Sequence, residues 1–147
     1  GLDDPVLLPD GSFIYSGGYM RNALASKING VHEFRIRGTQ WVTEKAAELF
    51  IRLVNHLKQQ KFEVIFVLTP YHPAVWSITE QLSVSAMRMV ESKVHKIARS
   101  TGVQVIGSYN PSKIGCRADE FFDAAHGEIT CLTKLERASV SYRSSKE

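Results

Sequence analysis

Two side chains stand out for what they could do together. In Asp119-Glu120-Phe121-Phe122-Asp123-Ala124-Ala125-His126, Asp123 lies three residues before His126. A carboxylate so placed can orient an imidazole and stabilise its protonated form. That is the general base a serine hydroxyl needs in order to attack an acyl carbon. Spacing alone leaves a second reading open. Asp123 can be the N-cap or first-turn acid of a helix, where the helix dipole favours it, with His126 an ordinary surface residue.

Further polar groups follow two apolar runs. Thr69-Pro70-Tyr71-His72-Pro73 comes after the first and Ser108-Tyr109-Asn110-Pro111 after the second. Ligands of parallel α/β sheets collect beyond the carboxyl ends of strands. Tyr71, His72 and Asn110 are therefore candidate substrate-binding residues, with a loop histidine of no special task as the plain reading of His72. The serines offer no obvious nucleophile, and a self-sufficient hydrolase using Ser12, Ser16 or Ser108 is the weakest of the readings left open. Ser12 and Ser16 sit beside glycines in turn-like segments, and Ser108 follows the second apolar run. No His/Cys/Asp cluster has zinc spacing and no glycine-rich phosphate loop occurs, so neither metal nor cofactor is expected. Cys116 and Cys131 fit neither a zinc knuckle nor a Cys-x-x-Cys redox pair. They read as two buried or half-buried thiols; one disulfide is possible, and the compartment stays open.

The elements that must position these groups are legible to different degrees. Pro9-Asp10-Gly11, flanked by Val6-Leu7-Leu8 and Phe13-Ile14-Tyr15, predicts a β-hairpin. Residues 19–38 suggest a helical turn at Asn22–Lys27 and a short strand at Glu33–Arg37. From Trp41 to Gln60 apolar residues recur at helical spacing, with Thr39 or Thr43 as cap. Glu63–Thr69 and Val103–Gly107 are apolar runs of the kind buried on both faces of a parallel sheet. Between them a helix is predicted from a Ser77/Glu80 capping box to Gly102, with Leu82, Ala86, Met89, Val90, Val94 and Ile97 inward. Ser108–Ala118 reads as loop. A last helix is predicted from about His126 past Leu135, with Ile129, Leu132 and Leu135 inward.

Strands alternating with helices predict an α/β fold with a parallel sheet. The chain of 147 residues reads as one domain, irregular over 1–38 and an α/β unit over 39–138. Two parallel strands make a poor sheet, so the sheet is expected to be incomplete. The first residue is Gly rather than Met, which suggests a piece of something longer. The net charge of +3 is scattered, with Lys27, Arg35 and Arg37 the one local cluster, so nucleic acid is not an expected partner. No stretch reaches the roughly 18 apolar residues of a membrane helix.

Phe121-Phe122-Asp123-Ala124-Ala125-His126, preceded by Val64-Ile65-Phe66-Val67-Leu68-Thr69-Pro70-Tyr71-His72-Pro73 and Val103-Gln104-Val105-Ile106-Gly107-Ser108-Tyr109-Asn110-Pro111, resembles the closing blocks of the SGNH/GDSL hydrolase superfamily. The resemblance covers roughly residues 41–136 and is narrowest to branches that acylate or deacylate bacterial surface polysaccharides and polymers. It implies a three-layer, flavodoxin-like αβα sheet, here partial, with His126 as catalytic base and Asp123 as third triad member. Tyr71, His72 and Asn110 would line the substrate mouth. The substrate would be an acylated carbohydrate or surface polymer, outside the cytoplasm. The family's Gly-Asp-Ser block and its oxyanion-hole Gly and Asn have no counterpart here, so the isolated chain is expected to be inactive. The competing expectation is a non-catalytic α/β module that binds carbohydrate or a protein. An open sheet edge beside Val64–Thr69 would also favour a homodimer.

Overall fold

The computed structural model describes residues 4–9, 11, 13–18, 43–77 and 82–144. The suggested elements at Asn22–Lys27 and Glu33–Arg37 lie outside them, as do Ser12, Thr39, Trp41, Glu80 and the Lys27/Arg35/Arg37 cluster.

The N-terminal hairpin is present. Strand β1 (Val6–Leu7) pairs antiparallel with β2 (Phe13–Ile14). Gly11 sits at φ +86° and its N–H donates to the Leu8 carbonyl, closing the turn. That left-handed backbone is what glycine permits.

Helix α1 spans Glu44–Gln59 and is capped by Thr43, whose hydroxyl accepts from the Ala46 N–H at 3.1 Å. Strand β3 (Ile65–Leu68) follows, then a four-residue helix α2 (Pro73–Trp76), helix α3 (Leu82–Thr101) and strand β4 (Gln104–Gly107). β3 and β4 pair in parallel, Ile65 against Gln104 through Leu68 against Gly107. Ala47 and Val54 of α1, Phe66 of β3 and Ile97 and Ala98 of α3 form one buried cluster, with Val105 packed against it. Short helix α4 (Pro111–Ile114), a 3-10 turn (Ala118–Glu120) and helix α5 (Ile129–Ser144) complete the chain. The protein is thus a mixed α/β structure with a small parallel sheet. Among the described residues no helix is long and apolar enough to cross a membrane.

The structure corrects several expectations. The β3 run is not buried on both faces. Phe66 packs under the helices, whereas Val67, pointing the other way, is 50% exposed. Ser77 does not open a long helix. It is the C-cap of α2, its N–H donating to the Pro73 carbonyl and its hydroxyl to that of Ala74. On α3 the buried methionine is Met87, and Met89 is exposed. Helix α5 starts at Ile129, not His126, and turns Cys131 and Leu135 inward while Ile129 and Leu132 face water. Residues 108–118 are not all loop, because Asn110 and Pro111 start α4.

Candidate functional site

The segment carrying Asp123 and His126 is a small closed loop. At its neck Phe121 bridges Gly127, the Phe122 N–H donates to the His126 carbonyl at 2.8 Å, and the Glu128 N–H donates to the Glu120 carbonyl at 2.8 Å. Phe121 is buried against Cys116 and Cys131. These cysteines form a disulfide, not two separate thiols. The 3-10 turn brings their Cα atoms to 5.2 Å, a proximity that sequence spacing could not reveal.

The Asp123 carboxylate is held inside this loop. Oδ1 accepts from the N–H groups of Ala125 and His126, each at 2.8 Å. Oδ2 faces His126 Nδ1 at 2.7 Å. The carboxylate thus caps a turn of its own loop, as aspartate commonly does, and does not cap α5. A carboxylate facing Nδ1 favours the tautomer that carries its proton there, which would present the Nε2 lone pair to an incoming hydroxyl.

The imidazole sits on the wall of a cleft of about 890 Å³. Thr69 and Pro70, just past the end of β3, form part of that wall, and Ile14 and Tyr15 come from the hairpin. The Tyr15 ring meets the His126 ring edge-on, centroids 5.9 Å apart. His126 is half exposed, so it is reachable from solution. The pair therefore stands at the carboxyl end of a parallel strand, beside an open cleft.

Tyr71, His72 and Asn110 are not on the wall of that cleft. His72 is buried. Its Nδ1 accepts from the Ala74 N–H at 3.0 Å, and its backbone N–H donates to the Ala124 carbonyl at 3.0 Å, tying the end of β3 to the Asp–His loop. Burial pushes its imidazole below the usual histidine range, against the pull of a hydrogen bond to the Ala118 carbonyl. Tyr71 donates its N–H to the Tyr109 carbonyl and packs edge-on against that ring. Burial pushes both phenols up. Asn110 caps α4, its Oδ1 accepting from the Ser112 N–H. His72, by its bond to Ala124, and Tyr71, packed on the cluster that holds Ala124, lie behind the Asp–His loop.

Two buried acids do similar work. Glu91 of α3 accepts from the Ser108 hydroxyl at 2.7 Å and the Tyr109 N–H at 3.1 Å, fixing the loop after β4. Ser108 is thereby buried in a structural bond. Glu120 accepts from the Arg117 N–H at 2.8 Å and from Lys134 Nζ at 2.6 Å. The lysine, with the amide, holds its carboxyl below the ordinary range. The one sequence sign of Glu91 is its place in the buried stripe of Met87, Val94 and Ala98. Nothing in the sequence marks Tyr15 as a neighbour of His126.

No family model, no curated protein and no solved structure matches the chain. The site geometry is therefore the ground for assigning a function.

Proposed function

We propose that this chain is the base-carrying part of a serine-type esterase or O-acyltransferase of the SGNH kind, acting on O-acyl groups of a glycan or surface polymer. The observation that carries the reading is the 2.7 Å contact between His126 Nδ1 and Asp123 Oδ2 in a cleft at the carboxyl end of β3. In this reading the serine comes from a segment outside the 147 residues. Its Oγ attacks the acyl carbon while Nε2 of His126 takes the hydroxyl proton. Asp123 stabilises the imidazolium. The imidazolium then returns the proton to the departing sugar oxygen, leaving an acyl-serine. Water completes hydrolysis, or a second hydroxyl completes transfer. The two parallel strands would belong to a larger three-layer sheet; among the described residues β3 pairs with β4 alone, which would leave its other edge for a further strand or a second copy. The Cys116–Cys131 bond favours an oxidising compartment, in keeping with a surface polymer as substrate.

The test is fluorophosphonate labelling of the full-length product of the gene that encodes these residues. The label is expected on a serine outside them, and His126→Gln is expected to slow it by about 100-fold or more. No label supports the non-catalytic module instead, and labelling indifferent to His126 removes His126 as the base.

A further inference from the structure

We propose that the cleft beside His126 binds an acyl chain several methylenes long, which would set the enzyme's preference for longer acyl esters over acetyl esters. The inference rests on the reading of His126 as the base. Most of the wall is apolar: Ile14, Tyr15, Pro70, Phe122, Ile129 and Leu132. Three of these, Ile14 at 42%, Leu132 at 39% and Ile129 at 74% exposure, leave apolar surface in water. Within one cleft these side chains form a shared apolar wall. Here the imidazole shares the wall, so the occupant must place a reactive centre at Nε2 and an apolar tail along α5 and the hairpin. An acyl ester has that form. An acetyl group, roughly three water volumes of about 30 Å³ each, occupies about a tenth of a cleft of 890 Å³. Glu128 on the same wall opposes a free carboxylate, which favours a neutral ester over a fatty acid. The sugar portion would lie outside, beyond Thr69, since the apolar wall offers it few hydrogen-bonding partners.

The test titrates the 147-residue chain with methyl acetate, butanoate, hexanoate and octanoate, followed by NMR at the His126 ring and the Ile129 and Leu132 methyls. Binding needs no nucleophile. Affinity is expected to rise about two- to fourfold per added methylene, the upper figure being full burial of each. Leu132→Asp, at an exposed position, is expected to weaken octanoate binding at least 10-fold with the circular dichroism spectrum unchanged. Equal weak binding of acetate and octanoate, or shifts confined to another surface, overturns the inference. If chain-length dependence is absent while His126→Gln still abolishes labelling of the full-length product, this inference falls and the catalytic reading stands. If octanoate binds as expected but labelling ignores His126, the catalytic reading falls and the cleft is an apolar-ligand site only.

Discussion

Cys116 and Cys131 join the two ends of the segment that carries Asp123 and His126. Their bond closes a 15-residue span around the 3-10 turn, the Phe121–Gly127 bridge and the Asp–His loop. The site is thus built on covalently clamped chain, with Phe121 packed against the clamp.

Removing that clamp should loosen the site as well as the fold. A 15-residue cross-linked span contributes about 3 kcal/mol by constraining the unfolded chain. The Cys116→Ala/Cys131→Ala double variant should lose about that much in urea unfolding, and the His126 ring signals should broaden. An unchanged midpoint would mean that the bond does not form in solution.

Asparagine and alanine at position 123 should behave differently. Asn keeps an oxygen for the Ala125 and His126 amides but loses the charge facing Nδ1. Asp123→Asn should therefore cost little stability while changing the His126 tautomer, read by ¹⁵N chemical shifts. Asp123→Ala should lose both, at about 1.5–3 kcal/mol for the charged hydrogen bonds. Equal stability of the two variants would show that the carboxylate does not hold the loop.

Stability should fall with acid in two stages. Burial lowers the pKa of His72 in the fold, so below its ordinary value of 6.5 the unfolded chain binds the proton first. Stability then declines as pH drops, and this part levels off below the folded pKa. Glu120 is lowered by Lys134, so its contribution is complete above the ordinary 4.5 and is lost as pH falls through the folded value. Urea midpoints measured from pH 8 to pH 3 should show both limbs, and Glu120→Gln should flatten only the more acidic one.

Gly107 should resist substitution. It ends β4 at φ +83°, and an added Cβ would run into the Leu68 carbonyl oxygen and Leu135 Cδ1. Gly107→Ala should cost about 2–4 kcal/mol from overpacking and left-handed strain, measured by chemical denaturation. A neutral substitution would mean that α5 does not press on the strand end as described.

What the sequence disclosed follows the range of the interactions involved. The hairpin around Pro9-Asp10-Gly11, the Thr43 cap, the spacing of Ala47 and Val54 and the two parallel strands are set by neighbours in the chain. Helix α5 starts later than its periodicity predicts because the Asp123 side chain binds its own loop amides. On α3 Ala86, Val94 and Ile97 face the core as their spacing predicts, whereas Met87 takes the place expected of Met89; Glu91, polar by type, is buried beside it through bonds to Ser108 and Tyr109, 17 and 18 residues away. The sequence leaves the disulfide only possible, because the fold of the chain between the cysteines, not their spacing, brings them together. Asp123 and His126 were visible as a spaced pair, but their cleft depends on Ile14 and Tyr15, far away in sequence.

The most direct check of the central claim is ester turnover by the full-length product carrying His126→Gln or Asp123→Asn. A base and its orienter should each lower kcat by about 10³- to 10⁴-fold, with KM little changed. Turnover within a few-fold of the unaltered protein in both variants would contradict the assignment.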